Sequence, residues 1–197
     1  MISKRETFFR LLTLYGRDDP QSLEEANRTL DDLLPKNEAN TPDSPDSPGQ
    51  VEPEDRFAHS AAVIFYRLYA ANLPEPLRAR ARLDIANRVT AIERAYYPRR
   101  RNNFQMGHTN YPLMYIEAFV LGSEIIGDTA RAAKAYEAFN EFCDYTLHNG
   151  FTEFNAPNYY KVNLHCLGSL AAASANSQVR HRAAAFAEWL WFDTAFH

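Results

Sequence analysis

The sequence predicts an all-α fold: an array of about four helical hairpins, with a period that fits an α-solenoid and an α/α-toroid-like incomplete ring alike. Three observations predict it. Apolar residues recur at spacings of three and four along most of the chain, and no stretch of useful length alternates with period two. Segments apolar on nearly every side alternate with amphipathic ones, which describes a buried inner layer and an outer layer facing solvent on one side. Short motifs also recur at a constant interval. Leu121-Gly122-Ser123 returns as Leu167-Gly168-Ser169, 46 residues on, and Ala138-Phe139-x-Glu141-Phe142 returns as Ala185-Phe186-x-Glu188-Trp189, 47 residues on. That period suits stacked helical hairpins.

The elements follow in order. Residues 3–15 place Phe8, Leu11, Leu12 and Tyr15 at helical spacing, and residues 22–34 gather Leu23, Ala26, Leu30, Leu33 and Leu34 on one face. These form an N-terminal hairpin, residues 1–34. Residues 35–55 contain five prolines and repeated Asp-Ser with almost no large apolar side chain. Such a stretch buries too little to offset its ordering entropy, and reads as a flexible loop. Hairpin repeats are expected over residues 56–197. Residues 56–71 are apolar nearly all round until Pro74 and Pro76, and residues 77–97 are charged and amphipathic. Arg99, Arg100 and Arg101 then read as a solvated loop. Residues 111–126 are apolar almost all round, Gly127-Asp128 makes a turn, and residues 129–147 are amphipathic up to an αL cap at Gly150. Pro157 suits the first turn of a helix over 158–174, and residues 178–192 close the third pair. A six-hairpin ring needs about twelve helices, so this is a smaller arrangement or part of a longer one.

Composition excludes several classes. The chain has 197 residues, 46% of them apolar, and a formal net charge of -4, which argues against a general nucleic-acid binder. Two cysteines, Cys143 and Cys166, make no disulfide framework. No apolar run has the length of a membrane span, and the charged N-terminus is not a signal peptide, so the default compartment is cytoplasmic. No phosphate loop, G-x-S-x-G, C-x-x-C or H-E-x-x-H is present, and His148 and His165 are too scattered for a zinc site. No cofactor or metal is expected.

Two segments stand out. Residues 99–112 and 150–160 each precede an inner helix, and both are dense in amides, aromatics and titratable groups. Those groups bind sugars: amides and carboxylates bond hydroxyls, and aromatic faces stack on pyranose rings. The expected partner is therefore an oligo- or polysaccharide. Asn103, Asn110, Tyr111, Asn155, Tyr160 and Arg101 are candidates for binding it. Asn110 and Asn155 could equally be helix caps, and the tyrosines core residues.

The stretch Gly150-Phe-Thr-Glu-Phe-Asn-Ala-Pro-Asn-Tyr-Tyr-Lys-Val-Asn-Leu-His-Cys-Leu-Gly resembles the G-F-x-E-[YF]-N-S-P-x-Y-Y-x-V-x-L-x-A-L segment of uncharacterised six-hairpin glycosidase-like, α/α-toroid proteins. Residues 180–197, with Trp189-Leu190-Trp191-Phe192-Asp193, resemble the helix that follows it there. The likeness covers roughly residues 102–197 and departs at Ala156, where Ser is usual. It implies a toroid of the kind that includes glycoside hydrolases and polysaccharide lyases, and it brings no catalytic set.

Residue chemistry supplies the roles. A lyase needs a carboxylate neutraliser (Asn103 or Arg101), a base (His108, with His165 a weaker candidate) and an acid (Tyr159 or Tyr160). A hydrolase needs two carboxylates. Glu153, between Phe151 and Phe154, is the first, and Glu117 or Glu124 is weighed as the second. The non-enzymatic alternative is a helical-repeat interaction module or a relic of a longer enzyme, assembling with itself through an apolar edge after Phe192.

Overall fold

The computed structural model describes residues 4–17, 19–34, 56–105, 109–151 and 157–196, without the side chains of residues 4, 5, 103, 105, 157, 158 and 196. The 35–55 loop lies outside them. Among the described residues the chain is helical and carries no strand. Eight long helices are α1 (Lys4–Arg17), α2 (Pro20–Leu33), α3 (Arg56–Tyr69), α4 (Glu75–Ala95), α6 (Asn110–Ile126), α7 (Thr129–Asn149), α8 (Pro157–Ala173) and α9 (Ser177–Phe196). A short α5 (Arg100–Gln105) precedes α6, and 3-10 turns cover Ala70–Asn72 and Tyr97–Arg99.

The helix ends follow from local chemistry. Asp19 caps α2 by accepting from the Ser22 amide at 2.9 Å, with Pro20 in the first turn. Asp128 caps α7 through the Arg131 amide in the same way. Gly127 ends α6 at φ 74°, where its amide and that of Asp128 reach the last carbonyls. Pro76 does not separate two helices, as the sequence suggested. It lies in the first turn of α4, where a missing N–H costs nothing. Gly150 has φ 75° but ψ -179°, so it is not the expected αL cap. The arginine run is not a loop either: Arg100 and Arg101 begin α5.

Tertiary contacts order the helices. α1, α3, α6 and α8 pack side by side, each folded back on the helix that follows it. Ser60 reaches Glu117 and Arg67 reaches Glu124, both 57 residues away, so α3 and α6 run parallel. Arg82 on α4 bonds the terminal carbonyls of α6 while Val89 meets Gly122, so α4 runs antiparallel to α6. Two cores result. Phe8, Leu11, Leu30 and Phe65 centre one between α1, α2 and α3. Ile85, Phe119, Phe139, Leu167 and Phe186 belong to the larger one around α6.

The helix α6 is buried along nearly its whole length, as its composition predicts. The helix α8 is not. It buries Tyr160, Asn163, Cys166, Leu167 and Leu170 on one face and exposes Lys161, His165, Gly168 and Ala172 on the other. The Leu-Gly-Ser identity therefore does not reproduce a contact. A Cβ on Gly122 would sit 2.6 Å from Val89 Cγ2, whereas one on Gly168 would meet nothing within 4 Å. Gly122→Ala is expected to destabilise by about 1–3 kcal/mol through overpacking. Gly168→Ala is expected to stabilise by about 0.5–1 kcal/mol through lower chain entropy. Urea unfolding of the two variants checks both signs.

Candidate functional site

Glu117 and Glu124 of α6 neighbour Cys166 and Ser174 at the α8 side in the same order, so α8 runs parallel to α6 as α3 does, and all three begin at one end of the array. Arg56 opens α3, and its guanidinium carbon lies 3.3 Å from the ring centroid of Tyr111, the second residue of α6. This is a cation–π contact. Tyr111 keeps 37% of its surface exposed, and the buried Arg56 Nε finds no acceptor among the described residues. Beside Tyr111, Thr109 and Asn110 are buried. Thr109 precedes the helix and makes no side-chain cap, so Asn110 is the first helical residue and not its cap. In the first turn of α8, Tyr159 is 46% exposed, while Tyr160 is buried with its hydroxyl 3.4 Å from Asp193 Oδ2.

Other expected site residues fall elsewhere. His108, Glu153 and Asn155 lie outside the described residues, as does the side chain of Asn103 on α5. Arg101 is engaged by Glu141 of α7 at 2.6 Å. Arg100 bonds the same carboxylate at 2.7 Å and stacks on Tyr97 at 4.0 Å. Burial opposes ionisation of Glu141, but hydrogen bonds from Arg101 and Arg100 and their charges outweigh it and hold the carboxyl below its usual range. These contacts fasten α5 onto α7 and fix the segment leading into Tyr111.

One layer below the rim lies a buried polar cluster that the sequence reading did not assemble. Ser60 Oγ donates to Glu117 Oε2 at 2.6 Å, and neither residue is exposed. Glu117 Oε1 has no hydrogen-bond partner among the described residues. Burial pushes the Cys166 thiol well up, and the neighbouring Glu117 charge adds to the shift. On the α4 side Arg88 bonds Asp84 at 2.6 Å, and its Nη1 lies 3.5 Å from His59 Nδ1. Tyr115 stacks on Tyr96 with centroids 4.7 Å apart. The only sequence signal for this cluster is a set of polar residues inside otherwise apolar helices.

Glu124 has a different role. Its carboxylate accepts from Arg67 at 2.7 Å, Tyr136 at 3.0 Å, Ser174 at 2.7 Å and the Ala175 amide at 2.9 Å. It ties α3, α6, α7 and the α8–α9 turn together at the opposite end. Among the described residues no three metal-ligating side chains converge, and no helix is long and apolar enough to cross a membrane. Comparison with protein-family models, curated proteins and solved structures finds no match to this chain.

Two predictions follow from this geometry. Ser60→Ala removes the donor to a buried carboxylate and is expected to cost about 2–3 kcal/mol, read by urea unfolding; an unchanged midpoint would show that Glu117 is satisfied without Ser60. The second concerns pH. Burial pushes Cys143, Tyr15 and Tyr136 up to about 12, and raises Cys166 and Tyr96 as well. Unfolded thiols and phenols ionise near roughly 8.5 and 10. The folded chain then holds protons that the unfolded chain releases. Stability is therefore expected to be intact below about pH 8.5 and to fall as pH rises towards 12. Urea midpoints at pH 7.5, 9 and 10.5 should decrease in that order.

Proposed function

We propose that the chain binds an oligo- or polysaccharide across the end of the array where α3, α6 and α8 begin, and that its hairpins follow the arc of an α/α toroid. The observation that carries this reading is the grouping of exposed Tyr111 and Tyr159 at that end, with Arg56 seated on the Tyr111 ring. A tyrosine ring stacks on a pyranose ring, and a guanidinium pairs with a uronate carboxylate. Asn103, His108, Glu153 and Asn155 belong to the adjoining segments and join the same reading.

Of the two reactions, elimination from a uronate fits these residues better. It needs one base and one acid, for which His108 and Tyr159 are the candidates. Hydrolysis needs a second carboxylate beside Glu153. Glu117 is buried under Ser60 and Glu124 is held by four donors, so both weighed partners are committed to protein contacts.

A thermal-shift and NMR titration against uronate-containing and neutral oligosaccharides tests the reading. Selective binding of uronate oligomers is expected. Tyr111→Ala should weaken it by roughly 2- to 12-fold, the worth of one aromatic contact. Arg56→Ala should remove the preference for uronates over neutral sugars. Appearance of an unsaturated uronate, lost in His108→Ala, would establish the lyase. A folded chain that binds no glycan overturns the proposal.

A further inference from the structure

Successive outer helices are joined by a repeated charge contact. The sixth residue of α4 is Arg80, of α7 Lys134 and of α9 Arg182. Each reaches back to the outer helix before it. Arg80 binds the Asp31 carboxylate on α2 and the Asp31 and Leu34 carbonyls at 2.9 and 2.8 Å. Lys134 binds Glu93 on α4 at 2.5 Å, helped by Arg131 at 2.8 Å. Arg182 binds Asn140 at 2.8 Å and Asp144 at 2.5 Å on α7. The acceptor stands at the twelfth residue in two of the three joints, Asp31 on α2 and Asn140 on α7.

The twelfth residue of α9 is Glu188. It is exposed and makes no hydrogen bond or ion pair with any described residue. It lines one hollow with Trp191, Phe192, Thr194 and Ala195. Trp191 and Phe192 are 66% and 64% exposed. At the other end of the array the sixth residue of α2 is an acid, Glu25, bonded to Arg10. A second copy stacked head to tail would therefore set Glu25 against Glu188, like charge against like.

We infer that the outer face of α9 docks a helical hairpin of a different polypeptide, with Arg or Lys at the sixth residue of its second helix on Glu188 and apolar side chains over Trp191 and Phe192. The charge pattern recognises a basic helix, and the aromatic pair supplies the area that such a contact needs.

The full chain is first sized by light scattering, where a monomer is expected. A dimer that Phe192→Asp dissociates would assign the face to a second copy and overturn the inference. The full chain carrying Glu25→Lys then serves as the probe, because its hairpin of α1 and α2 presents Lys at the sixth residue of the second helix. Labelled and titrated with the unlabelled full chain, it is followed by fluorescence anisotropy. Saturable binding is expected, weakened at least about tenfold by Glu188→Lys in the unlabelled chain and absent when the labelled chain keeps Glu25. No saturable binding, or binding that ignores Glu188→Lys, overturns the inference.

Discussion

A helix buried on every side cannot leave its polar groups to water. The rest of the structure depends on how α6 meets that constraint. Its neighbours must supply shape and partners at every angle: α3 and α8 on the flanks, α4 and α7 behind. Shape is met by small residues, above all Gly122 against Val89. Polarity is met at Glu124 by four donors and at Glu117 on one oxygen by Ser60, the other oxygen having no partner among the described residues. Breaking such a buried contact leaves a charge stranded, a heavier loss than the pair's own worth. The two acids therefore fix which elements surround α6 and in what register.

Much of the helical order was legible in the sequence, because apolar spacing directly encodes which side of a helix meets protein. Gly127-Asp128 and Pro157 likewise act through local backbone chemistry, and both ended or began helices as expected. The departures have two causes. Pro76 takes a first-turn place as Pro157 does, a local effect, whereas Arg100 and Arg101 turn on a residue far along the chain. Glu141, some forty residues away, draws Arg100 and Arg101 into α5. Gly122 and Gly168 share a motif, yet only Gly122 faces a neighbouring helix. Identity of sequence does not carry identity of rotation about the helix axis.

The candidate site was legible in part for the same reason. Placing Tyr111 and Tyr159 near the starts of inner helices needed only the helix boundaries. Separating Tyr159 from its neighbour Tyr160 needed the rotation of α8, which turns one outward and the other towards Asp193. Arg56 was missed because its partner Tyr111 stands on another helix, and nothing local announces a cation–π pair. The cluster of His59, Ser60, Glu117 and Cys166 was missed because each residue looks like an isolated polar interruption until three helices bring them together.

The charge contacts between outer helices bear on how the fold comes apart. Each one spans a single joint, and helices two hairpins distant hardly meet. Cohesion in such an assembly is close to a sum of intrinsic hairpin terms and nearest-neighbour couplings, as in a one-dimensional Ising chain. An interior unit is then held from two sides and a terminal unit from one. Amide exchange in this chain would therefore run as a gradient, fastest in the outermost pairs and slowest in α6. The molecule would loosen by fraying inward before it melts as a whole.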